Sequence, residues 1–142
     1  AIMAVLSFIA MYVLMYSMVD RFTNVVPNIN QFYMAGLMAM PMIIIELIIM
    51  WKMYANSKLN ALILALSTVL LIVFYVCIRQ QTAVSDKQFL KSMIPHHAAA
   101  ILMVEEARLS DPEVIELGKN IIDSQQKEIE QMKRKIEQLE SK

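Results

Sequence analysis

The chain has 142 residues, 58% of them hydrophobic, and thirteen Lys/Arg balance thirteen Asp/Glu. That balance averages two unlike parts: residues 1–78 carry only Asp20, Arg21, Glu46, Lys52 and Lys58, whereas residues 84–142 carry nine basic and eleven acidic side chains. Such a split excludes a purely soluble domain, and neither part is basic enough to hold nucleic acid.

The chain opens at Ala1-Ile2-Met3 without a polar lead, so it reads as starting inside a longer segment, with no signal peptide expected. Three stretches, about residues 1–19, 31–53 and 59–78, are long and apolar enough to be membrane spans. A spanning helix needs about 20 such residues, because hydrocarbon satisfies no backbone hydrogen bonds. The link 19–30, with Asp20, Arg21, Asn24, Pro27 and Asn28, reads as a polar loop. The link 52–58 is short, which makes the second and third spans antiparallel neighbours, and Trp51 and Tyr54 stand where an interfacial aromatic belt would place them. Lys52 and Lys58 in that link, with no acid beside them, favour its cytoplasmic placement. Three spans then put the charged part outside, in the periplasm or its equivalent, on a multi-pass protein of the cell (inner) membrane.

Glu46 is the ionisable residue inside a span, either a functional group or a side chain snorkelling toward the interface near Trp51. Met11, Met15 and Met18 share a helical face, as do Met34 and Met38. They read either as a soft-metal entry path or as fillers of irregular gaps. The single cysteine, Cys77, lies in the third apolar stretch, so no disulfide framework or thiolate cluster is expected.

After Arg79 and a short polar connector, Ser85 with Gln88 forms a capping-box pattern that starts a helix running to about Leu109. Ser110-Asp111-Pro112-Glu113 stops it and starts another, with Asp111 as N-cap and Pro112 in the first turn, continuing to about Leu139. So short a link folds the two helices back antiparallel. The second helix shows a 3,4-spaced seam (Ile115, Gly118, Ile122, Gln125, Ile129, Met132, Ile136, Leu139), and the first offers Leu90, Met93, His97, Ala100, Val104 and Ala107.

Folding about Asp111 sets His97 level with Gln125 and Met93 level with Ile129, with Met132 a little further along and Glu128 at the edge of the face. A polar pair in a thin seam costs stability unless it is satisfied. One reading is that His97 and Gln125 hydrogen-bond and fix the register. The other is a metal site. His96 and His97 point about 100° apart on a straight helix, but Pro95 can kink it and re-aim both imidazoles. Met93 stands four residues before His97, and Met103 seven after His96. Imidazole with thioether suits Cu(I), and His with oxygen ligands suits Cu(II).

The run Met93-Ile94-Pro95-His96-His97, followed by Ile121-Ile122, Gln125, Glu128-Ile129 and Met132, resembles the bacterial domain-of-unknown-function family 305 (DUF305), the family of the copper-binding periplasmic protein CopM. The likeness covers about residues 85–133, with Asp86 and Phe89 also in place. It implies a ferritin-like helical hairpin outside the cytoplasm, often doubled or assembled into a bundle and linked to copper or silver tolerance. It sets the functional positions at Met93, His96, His97, Met103, Gln125, Glu128 and Met132. This chain has a single hairpin where the copper-binding members carry more, so a bundle would need self-association, or the domain acts as a sensor or docking piece.

The expected architecture is therefore all-α, with a three-span region over residues 1–79 and an extramembrane hairpin, a ferritin-like half-bundle, over residues 84–142. The expected function is membrane-anchored, extracytoplasmic copper (or silver) binding, with the lipid bilayer and a homo-oligomer or larger membrane complex as partners. The alternative is a structural or accessory subunit of such a complex with no metal of its own, suggested by apolar Ile136 and Leu139 near the end of the last helix. An enzyme is not expected: Gly36 and Gly118 are the only glycines, no Ser/His/Asp or Cys/His arrangement appears outside the spans, and no Glu-x-x-His pattern supports a di-iron site.

Overall fold

The computed structural model describes residues 2–141; Ala1 and Lys142, the outer limits given above for the first span and the charged domain, lie outside them. Among the described residues the fold is all-α: α1 (Ile2–Leu14), α2 (Ile29–Ile49), α3 (Ser57–Gln80), α4 (Asp86–Glu106) and α5 (Pro112–Glu140), with 3-10 turns at Met15–Met18 and Phe22–Asn24. The chain divides into two compact units, residues 1–15 with 30–83 and residues 16–29 with 84–142.

In the first unit α2 and α3 are long and apolar enough to cross a membrane. α1 is apolar but ends after 13 residues in the 3-10 turn. Its full run to Met18 rises only about 27 Å, just short of the ~30 Å hydrocarbon core. Two helices rather than three thus meet the length requirement. Phe32 joins the three, its ring 5.0 Å from that of Phe8 and 6.0 Å from that of Phe74, edge-on in both cases. Gly36 lies against Phe74 so closely that a Cβ would overlap the ring, and this glycine sets the approach of α2 to α3. α3 starts at Asn56, whose side chain accepts from the Leu59 N–H at 3.1 Å, and stops at Gln81 in a left-handed conformation. Elsewhere α3 presents Leu62, Leu66, Val69 and Ile72 outward. Glu46 accepts a 3.0 Å hydrogen bond from the Tyr54 hydroxyl in the α2–α3 turn, so its charge is drawn toward the helix end. This pairing also raises the Tyr54 pKa and favours the snorkelling reading of Glu46.

The second unit is built on α4 and α5, which run antiparallel: Lys87 in the first turn of α4 meets Glu140 in the last turn of α5 at 2.7 Å. The hydrogen bond to Lys87, with Lys91 also near, holds the Glu140 carboxyl below the usual carboxylate range. Asp111 caps α5 by accepting from the Glu113 and Val114 N–H groups, with Pro112 in the first turn. α4 stops at Glu106, earlier than the expected Leu109, and Ala107 is extended. The early stop lets Leu109 turn back over Gly118, where a Cβ would lie 2.8 Å from Val104 Cγ1 and 3.4 Å from Leu109 Cδ1.

The core of this unit is Ile94, Ala98, Ile101, Ile129 and Met132. The three α4 members follow i, i+4, i+7 spacing, one residue away from the seam read off the sequence. The cause lies in residues 16–29: Val19 and Val26 pack on the same core beside Leu90, Met93, Ile122 and Ile136. α4 is therefore covered from two sides, by α5 and by this segment. Residues 19–30 read from sequence as a loop between spans, yet Asn24 and Asn28 are buried and Lys133 donates to Asn24 Oδ1. Ser85 caps α4 as expected, accepting weakly from the Gln88 N–H at 3.4 Å. The Gln88 side chain does not complete the capping box; its Oε1 accepts from the Ile29 N–H at 3.0 Å and ties the segment to α4.

Candidate functional site

Residues at i, i+4 and i+8 on α4 (Phe89, Met93, His97) with Leu90, and at i, i+3, i+4 and i+7 on α5 (Glu128, Gln131, Met132, Lys135), line one groove of about 470 Å³. It is apolar along its walls and holds one imidazole, one carboxylate, two thioethers and an ammonium.

His97 is fixed at both ring nitrogens. Nδ1 lies 2.9 Å from the Met93 carbonyl, one turn back on the same helix. A carbonyl only accepts, so Nδ1 carries a proton and donates it. Nε2 is then the nitrogen with the lone pair in the neutral ring, and it lies 2.7 Å from Glu128 Oε2. The His97 side chain is 11% exposed and that of Glu128 53%, so the imidazole is walled in and the carboxylate stands at the mouth. A backbone carbonyl that holds Nδ1–H leaves Nε2 as the ring nitrogen facing the groove, which is how proteins orient a ligating histidine.

Four of the seven positions singled out in the sequence therefore converge: Met93, His97, Glu128 and Met132. The partner of His97 is Glu128 rather than Gln125. The register differs by three residues because α4 ends at Glu106, so the link is longer and the fold-back point lies beyond Asp111. Gln125 is half-buried one turn from Glu128, and no hydrogen bond ties it to His97. His96 is exposed on the other side of α4, as is Met103. α4 continues through Pro95, which is buried, and the two imidazoles are not brought together. Among the described residues no three His, Cys, Asp or Glu side chains cluster as a metal shell would require. Any site here depends on the methionines. Sequence reasoning missed Phe89, Leu90, Gln131 and Lys135 as groove walls; the signal was their helical spacing from Met93 and Glu128.

The DUF305 family, described as a domain of unknown function, matches residues 76–136. An uncharacterized protein, L153, of Acanthamoeba polyphaga mimivirus is 36% identical over 137 residues, covering 92% of this chain and 86% of its own length. So wide a match extends well outside the family segment and runs through residues 16–29. That relative is viral, which widens the setting beyond the bacterial one implied by the motif. No solved structure matches the chain.

Proposed function

The chain belongs to the DUF305 family, and from the groove between α4 and α5 we propose that it is a membrane-anchored protein that binds copper, or silver, with His97, Met93, Met132 and Glu128 as donors. The observation that carries this reading is the His97 geometry: Nδ1–H is engaged by the Met93 carbonyl and Nε2 faces a carboxylate across 2.7 Å, in a groove walled by two thioethers. His97 Nε2, Met93 and Met132 would supply the imidazole and thioether donors to a copper or silver ion, and Glu128 a carboxylate. Imidazole and thioether suit Cu(I) or Ag(I), and the carboxylate offsets the charge of the ion or, with the imidazole, serves Cu(II). The groove is open on one side, which fits capture and hand-over of an ion. A second copy can complete the shell there, in a ferritin-like assembly of the kind the family resemblance implies. His96 and Met103, exposed and off the groove, are the donors such a neighbour would meet; Gln125 supports the site from one turn away.

In this reading α1, α2 and α3 all enter the bilayer, the first with help from its 3-10 turn. The Lys52 and Lys58 side is cytoplasmic, and the α4–α5 unit is extracytoplasmic, periplasmic in a bacterial inner membrane. One observation favours the alternative of an accessory subunit: Met103, Leu109, Val114 and Leu117, near the α4–α5 link, are all exposed and offer an apolar docking end. The test is a Cu(I) competition titration on the full chain in detergent. His97→Ala should weaken binding by about 100-fold or more, since even the outer partners of a ligating imidazole are worth 10–100-fold, while His96→Ala, outside the groove, weakens it far less. Wild-type affinity in a helical, folded His97→Ala variant would remove the site.

A further inference from the structure

The 3-10 turn at Phe22–Asn24 presents an aromatic ring to solvent in a way the rest of its segment does not. Phe22 is 90% exposed, more than any other large hydrophobic residue among those described, and the Arg21 side chain beside it is 72% exposed. Asp20 and Asn24, which bracket this exposed stretch, point inward. The Asp20 side chain is 7% exposed and accepts from the Arg21 N–H and from Asn24 Nδ2, both at 2.7 Å. Asn24 is buried and bonded to Lys133, and Val19 and Val26 pack on the core. The outward pose of Phe22 is thus held by a pinned turn rather than left to a loose loop.

A single exposed ring on a soluble domain needs no explanation, but this one is tethered between membrane segments. It follows the apolar run ending at Met18 by four residues and precedes α2 at Ile29 by seven. Four residues reach at most about 14 Å, within the depth of the headgroup layer and the water next to it. Aromatic rings settle at that level. An arginine beside one keeps its stem in the apolar zone and its guanidinium on lipid phosphates. The guanidinium approaches Asp20 only at 3.9 Å through Nε, and the arginine side chain is largely exposed beside Phe22.

We propose that Arg21 and Phe22 form an interfacial anchor, a wedge seated in the headgroup layer of the bilayer beside the extramembrane unit. The proposal rests on the membrane-spanning reading of α1 and α2, and the test separates the two. The chain has one tryptophan, Trp51. The full-length protein carrying Phe22→Trp and Trp51→Phe is placed in nanodiscs of zwitterionic and anionic phospholipid, with bromines near the headgroups or deep in the chains. The indole at position 22 should emit at shorter wavelength than a water-exposed one, be quenched most by headgroup-proximal bromines, and resist acrylamide. Water-like emission quenched by acrylamide overturns the anchor, and so does short-wavelength emission that no bromolipid quenches, which would mark a protein partner such as a second copy. The wild-type protein serves as control: if bromolipid quenches Trp51 but not the indole at position 22, the anchor alone falls. If it quenches neither, the membrane reading falls with it.

Discussion

Ile101→Ala should lower the opening free energy of the α4–α5 unit by about 3 kcal/mol, the cost of deleting a fully enclosed aliphatic side chain and leaving a cavity behind. Ile101 is 1% exposed, and with Ile94 it is the largest side chain that the unit encloses completely. Its neighbours come from α4, α5 and the 16–29 segment, so no single element can move in to close the void. Hydrogen exchange on α4 peptides in nanodiscs reads the change, because the slowest α4 amides exchange only through global opening of the unit. Leu117→Ala is the control: Leu117 is 58% exposed, and a surface change of that kind stays within about 0.5 kcal/mol. Equal effects from the two variants would mean that the core is not where the structure puts it.

The larger effect belongs to residues 16–29. Replacing them by a Gly/Ser linker of the same length should destabilise the unit by about 4 kcal/mol, summed over two valines uncovered from the core and two or three lost hydrogen bonds. A loss of that size approaches the whole stability of a small domain. The replaced protein should keep α2 and α3, show fast exchange throughout α4 and α5, and lose the Lys133–Asn24 and Gln88–Ile29 ties together. Unchanged protection in α4 would show the segment to be a mere connector. The same reasoning bears on how the domain is isolated: residues 84–142 alone leave Ile94, Ala98 and Ile101 with one of their two coverings.

Much of this was legible in the sequence because it follows from local chemistry. Asp111-Pro112 announces a helix start by capping and by the fixed φ of proline. The 3,4 spacing on α5 marks its packed face, and Met93 with His97 falls on one side of α4 by helical period alone. Three things were not legible, each for a non-local reason. The position of Glu128 opposite His97 depends on where α4 stops, and that stop goes with Leu109 folding over Gly118 across the link. The inward turn of Asn24 and Asn28 depends on core surface supplied from about seventy residues further along, which polarity alone cannot foretell. The Gln88 side chain had a local partner in the capping box and took a distant one, since the Ile29 N–H, at the start of α2, offered a donor that would otherwise lack one.

These non-local features also connect the groove to the segment 16–29. Met132 lies in the core that Val19 and Val26 cover, and the next residue, Lys133, holds Asn24. The methionine wall of the groove is thus as rigid as that core, while Glu128 at the mouth remains exposed. A buried soft wall and an exposed hard donor suit an ion that enters from solvent and ends on sulfur.

X-ray absorption at the copper edge, on the full chain loaded with stoichiometric Cu(I), tests the assignment of donors most directly. The predicted result is a shell of sulfur scatterers together with one imidazole. The sulfur is lost in Met93→Leu/Met132→Leu and the imidazole in His97→Ala, and both are kept in His96→Ala. A shell of nitrogen and oxygen alone, or one that His97→Ala leaves intact, would contradict it.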